Sequence, residues 1–317
     1  MYGLRRPCYT ADTKGMGCSP ICDAIAARDL ERVRQLLAAD PALANTSCEL
    51  DVPGANFSGM QLLAPALPQS QQQPAVPRKS RTVLQLAVQY STPGIVRELL
   101  QFGADVHAGD ETIGNSLLHD AAWRGDEPVA MTKALISGGA DVNARSKNGT
   151  VLHSAIQAFN RKDPAIVKEL VELLLENGAD VHARCTSSGW TALDHATFRS
   201  RTDDWSPVFR ALLRGGANVN AAAPERGQTG TLLFRAAQGR TPTILQLLIE
   251  AGADVNAPTQ RWGTPLHTAA RRGLDVNIEH LLAAGADPCA VDGENRTPLD
   301  LLKGHEEMLA FLDGEGA

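Results

Sequence analysis

The stretch RWGTPLHTAARRGLDVNIEHLLAAGADPCAVDG, Arg261 to Gly293, decides the fold, because it is one copy of a recurring pattern. A Ser or Thr stands where Thr264 stands at Thr82, Ser116, Thr150, Thr191, Thr231 and Thr297, with successive gaps of 34, 34, 41, 40, 33 and 33 residues. Each copy has the same grammar: Ser/Thr, a Leu two residues on, an Ala-containing run, a second apolar run, then Gly-Ala-Asp or a close variant. The hydroxyl can cap a helix by accepting an orphan backbone N–H, and Pro265 or Pro298 after it sits where a missing N–H costs nothing. The glycine that follows the second apolar run, Gly285 in this copy, can take the left-handed conformation that closes a helix. TPL is therefore a helix start and GAD a helix stop followed by a turn.

Paired alanines such as Ala269 and Ala270 let the first helix approach its neighbour, and Leu281 and Leu282 or Leu247 and Leu248 fill the space behind. A unit this small cannot bury its apolar face alone, so the copies must stack, and stability comes from the interfaces between neighbours. TPLHTAARRG followed by HLLAAGADP resembles the ankyrin repeat, whose period is about 33 residues with T-P-L-H-x-A. The resemblance implies an all-α ankyrin-repeat solenoid of about eight helix-turn-helix units with short hairpin-like fingers. Residues 1–19 read as a flexible tail, and 20–45 as an N-terminal capping unit, since ICDAIAARDLERVRQLLAADPALAN keeps the same interval. Residues 46–80, rich in Pro, Gln and Ser, read as a disordered insertion or extended finger in which Met60, Leu62, Leu63 and Leu67 could dock a partner. The array occupies 81–317 and ends in a polar capping unit. The interval from motif Leu to Gly is 19 in three units but 21, 26 and 23 in the three central ones, so extra residues fall within or between their paired helices.

A length of 317 residues with 43% hydrophobic and only 4% aromatic content suits small helices in close contact. The formal charge of −6 argues against a generic nucleic-acid or anionic-membrane binder. No apolar run reaches the roughly 18 residues of a membrane span, and the first twenty residues lack a signal-peptide core; a cytoplasmic or nuclear protein is expected. Cys8, Cys18, Cys22, Cys48, Cys185 and Cys289 form no regular framework, so reduced thiols are expected. No catalytic motif occurs. GMGCSP at Gly15 to Pro20 lacks the context of a phosphate loop, and Cys8, Cys18 and Cys22 have no downstream pair to complete a zinc set. Neither catalytic residues, cofactor nor metal are expected.

His119, His153 and His267 occupy the H of the family motif, where the resemblance implies that the imidazole braces the turn between units. His107 and His182 replace the finger asparagines Asn143, Asn220 and Asn256. Leu135 to Asn143 and Leu248 to Asn256 resemble sites at which some ankyrin repeats are hydroxylated on Asn, although a bracing role explains both residues without modification.

In the family, finger tips and the exposed face of each first helix line a groove that binds other proteins. There the sequence places Tyr90, Trp123 and Arg124, Phe198 and Arg199, and Arg271 and Arg272, and on the fingers Arg145, Lys147, Arg184, Trp190, Arg226, Arg261 and Trp262. An acidic chain is thus expected to present a basic groove holding three of its four tryptophans. Trp, Tyr and Arg dominate binding hot spots. The expected function is a non-catalytic scaffold or adaptor, monomeric, whose protein partner carries an acidic segment with an apolar anchor. An adaptor of a ubiquitin ligase and a host-directed effector are specific forms of that reading; an enzyme or small-ligand binder on the same solenoid is the alternative.

Overall fold

Every recurring Ser or Thr that precedes a Leu opens a helix, and this fixes the element order. The structure is a computed structural model that describes residues 19–49, 80–108, 114–124, 127–158, 163–199, 205–221, 230–239, 242–259 and 261–302. Outside them lie the tail before Ser19, Met60, Leu62, Leu63 and Leu67 of the insertion, Arg226, the side chain of Arg124, and the chain after Leu302. The protein forms two compact units, Met1–Ala108 and Gly109–Ala317, each built from paired helices.

In the first unit α1 (Pro20–Ala26) packs on α2 (Leu30–Ala39) and on α3 (Val83–Tyr90), which pairs with α4 (Pro93–Gln101). Ile21, Ile25, Val33, Leu37, Leu84, Ile95 and Leu99 form its core. A 3-10 turn at Pro41–Asn45 leads into β1 (Ser47–Glu49), which pairs antiparallel with β2 (Ser80–Thr82), Ser47 opposite Thr82. The two ends of the 46–80 segment are therefore strands of one small finger. This pairing sets Cys48 beside α1, 6.2 Å from Cys22 between Cα atoms, and the two form a disulfide. That corrects the expectation of reduced thiols: α1 and β1, 26 residues apart in sequence, meet at bridging distance. Proteolysis without reductant, read by mass spectrometry, is expected to release the Cys22 and Cys48 peptides joined. Recovering both alkylated as free thiols before reduction would refute the bond.

The second unit continues with α5 (Leu117–Arg124), α6 (Pro128–Ser137), α7 (Val151–Gln157), α8 (Pro164–Glu176), α9 (Ala192–Arg199), α10 (Ser206–Arg214), α11 (Leu232–Ala237), α12 (Pro242–Glu250), α13 (Pro265–Arg272), α14 (Asp275–Ala283) and α15 (Pro298–Leu301). The first helices α5, α7, α9, α11, α13 and α15 stack in a row, and the second helices stack behind them. Ala121, Ala155, Ala196, Ala237 and Ala269 of the first helices are all fully buried in this stack, at 0% exposure. The expected glycine stop is confirmed at Gly285, whose φ of +87° lies in the left-handed region. A short two-stranded ladder, β3 (Arg145–Ser146) and β4 (Gly149–Thr150), forms one finger. Part of the long central interval is helix: α8 runs 13 residues where α12 and α14 run 9.

Finger asparagines clamp four of the units to the next. Asn143 Nδ2 donates to Gly178 O at 2.9 Å, while its Oδ1 accepts from Asp180 N at 2.8 Å. Asn220 and Asn256 repeat this on Gly252 and Asp254 and on Gly285 and Asp287. Asn45 does the same in the first unit, on Gly103 and Asp105. The bracing role expected of Asn143 and Asn256 is what the geometry shows, and Asn220 shares it.

Candidate functional site

The motif histidines set the frame of the exposed face. In His267, Nδ1 accepts from Thr264 N at 3.1 Å and Nε2 reaches Arg296 O at 3.0 Å, in the next unit. His119 spans Ser116 N to Gly149 O, and His153 spans Thr150 N to Trp190 O. An acceptor on one ring nitrogen and a donor on the other require the neutral imidazole. Burial depresses all three pKa values, His153 receiving a further push from Arg145, against an opposing backbone bond in each case.

Four units carry another residue at this position, Gln85, Asp194, Phe234 and Asp300, and at Asp194 the face becomes chemically distinctive. Asp194 replaces the histidine, and its Oδ2 accepts from Thr191 N and Oγ1, both at 2.8 Å. A carboxylate has no proton to offer a neighbouring carbonyl, so its other oxygen pairs with Arg235 from α11. The Arg235 guanidinium lies 5.2 Å from the Trp190 ring centroid. Trp190 also meets His195 at 5.1 Å and Phe198 at 5.9 Å. Phe198 itself is 60% exposed, so an apolar ring faces solvent beside a tryptophan and an arginine held by a buried acid.

A second aromatic and cationic group forms at α13. Arg261 and Arg271 each lie 4.9 Å from the half-buried Trp262 ring. Arg271 bonds Asp292 at 3.4 Å, and Arg296 bonds it at 2.9 Å. Burial alone would raise the Asp292 pKa, but the bonds from Arg296 and the backbone N–H of Glu294 hold it at about 2. Cation and ring are thus fixed before any ligand arrives.

The sequence-predicted residues fall into three sets. Trp190, Phe198, Trp262, Arg261 and Arg271 come together in the two groups above. Arg145, exposed, bonds Arg184 O at 2.8 Å, and Arg184, also exposed, bonds Gly189 O at 2.9 Å, which lines both along the finger that carries Trp190. Lys147 sits on the same side, its carbonyl accepting from Thr186 Oγ1 at 2.7 Å. Arg199 points away to Ala158 O and over the ring of buried Trp205, 5.5 Å to the centroid. Trp123 is half-buried, Arg272 is exposed, and Tyr90 is exposed in the first unit. The finger acids Asp141, Asp180, Asp254 and Asp287 turn inward to accept N–H bonds two residues on, so they occupy themselves locally.

Sequence reading missed Arg235, Asp292, Cys185 and His195. Cys185 is buried in the finger, its Sγ 2.8 Å from Ser188 Oγ and 3.6 Å from His195 Nε2. Burial would raise the thiol, but hydroxyl and backbone donors from Ser188, Ser187 and Trp190 bring it below its ordinary value. Burial, aided by His153, pushes His195 down to about 4. One donor atom each from His153, Cys185 and His195 lies within 4.8 Å of the other two. Among the described residues, no helix is long and apolar enough to cross a membrane.

Comparison with known proteins supports the architecture. The family described as ankyrin repeats in three copies matches residues 84–171 and 118–223, and ankyrin repeats in many copies match 248–302. The mouse NF-kappa-B inhibitor delta is 31% identical over 71% of this chain and 63% of its own. The mouse B-cell lymphoma 3 protein homolog is 32% identical over 62% of this chain and 41% of its own. Both therefore extend well beyond what this chain spans. The crystal structure of the human ASB11 ankyrin repeat domain superposes with a TM-score of 0.58 at 25% identity, covering 75% of this chain and 99% of that one.

Proposed function

The chain belongs to the ankyrin-repeat family, and on that premise we propose that it is a non-catalytic scaffold that binds a protein partner on the face carrying Trp190, Phe198 and Trp262. The observation that carries the proposal is Phe198, an aromatic ring 60% exposed yet flanked by Trp190, which Arg235 contacts in turn. A solvent-facing ring costs free energy unless something covers it, and a rigid aromatic beside Arg is the composition of an interface anchor. The complementary partner segment brings one apolar side chain to Phe198 and one or more carboxylates to Arg145, Arg184, Arg261 or Arg271. Net negative charge elsewhere repels polyanions and so disfavours nucleic acid. One relative is named an inhibitor, and another a putative E3 ubiquitin-protein ligase. Those names support a recognition module whose effect depends on what it holds.

Affinity capture with wild type beside a Trp190→Ala, Phe198→Ala, Arg271→Ala variant of verified fold tests this. Partners should be lost from the variant, and each anchor truncation should weaken a purified complex by about 1 kcal/mol or more. Identical captures would remove this face as the working surface.

A further inference from the structure

Cys185 and His195 lie outside the logic of the repeat. The finger position of Cys185 is filled in other units by Ser146, Thr259 and Asp292, whose oxygens close the turn through hydrogen bonds. A thiol is a weaker substitute for that task; here Cys185 Sγ meets Ser188 Oγ at 2.8 Å within the finger and on its other side faces an imidazole. His195 stands at the variable position of the helix motif and looks back across the unit to the finger.

The distance between them is informative. In a tetrahedral zinc site, with Zn–S near 2.3 Å and Zn–N near 2.05 Å, sulfur and nitrogen lie about 3.6 Å apart. Cys185 Sγ and His195 Nε2 are 3.6 Å apart. His153 offers a third donor, since its ring meets His195 edge-on at 5.6 Å between centroids and the three donor atoms fall within 4.8 Å. Its Nε2 now bonds Trp190 O at 3.0 Å, but that carbonyl also accepts from Cys185 N at 2.9 Å and stays satisfied if His153 turns away. Gln157 Nε2, 2.9 Å from His195 Nε2, is the donor an ion would displace. Arg145 and Arg235 are the nearby cations; Arg235 is already paired with Asp194, and a thiolate offsets the charge of the ion itself.

We propose that Cys185, His195 and His153 form a Zn2+ site, with water as the fourth ligand. The ion would tie the finger carrying Trp190 to α7 and α9, so metal binding would fix the aromatic face. The site stands on its own geometry and does not depend on the partner reading.

The test uses the full chain with Cys8→Ser, Cys18→Ser and Cys289→Ser, which leaves Cys185 as the free thiol beside the Cys22 and Cys48 disulfide. Titration with Co2+ should saturate at one equivalent with a thiolate-to-cobalt charge-transfer band that Zn2+ removes. Adding Cys185→Ser should abolish the band, and His195→Gln should weaken binding at least about tenfold, the scale seen for changes even beyond the first ligands. Absence of the band in the single-thiol protein overturns the proposal, as does an unchanged affinity in His195→Gln. If either added substitution unfolds the chain, X-ray absorption of the Zn2+-loaded single-thiol protein decides instead: one sulfur neighbour at about 2.3 Å supports the site, and a shell of nitrogen and oxygen alone overturns it.

Discussion

Replacing Leu281 with Ala is expected to lower the unfolding free energy by about 2 to 5 kcal/mol, the range for large-to-small changes in a packed core. Leu281 is fully buried in α14, which packs on both α13 and α12, so the lost side chain opens a cavity within one unit and against its neighbour. In a stack whose stability is a sum of unit and interface contributions, damage at such a position weakens two couplings together. Val276 provides the contrast: it lies on the same helix, is 49% exposed, and its truncation should change stability by no more than about 0.5 kcal/mol. Chemical denaturation of the two variants checks the pair. A neutral Leu281→Ala with a costly Val276→Ala would mean that α14 turns its other face to the core.

Helix starts, helix stops and the stacking row were legible because each rests on a local signal repeated at a fixed interval. Thr264 with Pro265 and Gly285 act within a few residues of themselves, and repetition makes their reading secure. The clamp made by Asn143 was legible for the same reason. What stayed hidden depends on distance or on a broken pattern. Cys22 and Cys48 meet only because β1 pairs with β2 across a segment with no periodicity of its own. Asp194 drew no notice in the sequence, yet with the histidine lost its carboxylate pairs with Arg235 from 41 residues away, which lies against Trp190. Trp205 was simply the tryptophan outside the groove; it lies buried at the N-terminus of α10. Cys185 and His195 lie ten residues apart, on a finger and a helix, and no spacing rule announces that these elements fold face to face.

The histidine braces lead to the second large effect, which is acid lability of the array. His119 and His267 have folded-state pKa values below the ordinary value of 6.5, chiefly because burial disfavours the imidazolium. Above pH 6.5 both the folded and unfolded forms keep these rings neutral, so the braces contribute in full. As pH falls below 6.5 the unfolded chain takes up protons that the folded chain refuses, and stability is lost until the folded pKa values are reached. Each such group adds at most about 1.4 kcal/mol per pH unit to the slope, so these two contribute up to about 2.7, and His153 and His195, whose pKa values are also lowered by burial, steepen it further. Asp292 acts in a lower window: its carboxyl at about 2 contributes above the unfolded carboxylate range and loses its effect only as pH falls towards 2. Thermal melts between pH 7.5 and 4.5 should therefore show a decline that begins near 6.5, well before carboxylates titrate. His267→Gln tests the assignment: Gln85 makes the equivalent brace in the first unit, but its bond to Ala108 O is long at 3.4 Å, so the amide is the weaker substitute for the span from Thr264 N to Arg296 O. The variant should be weaker by about 1 to 3 kcal/mol at pH 7.5 and should fall less steeply with acid, since one refusing imidazole is gone. A decline as steep as that of the wild type would place the acid sensitivity in other groups and leave the brace a matter of shape alone.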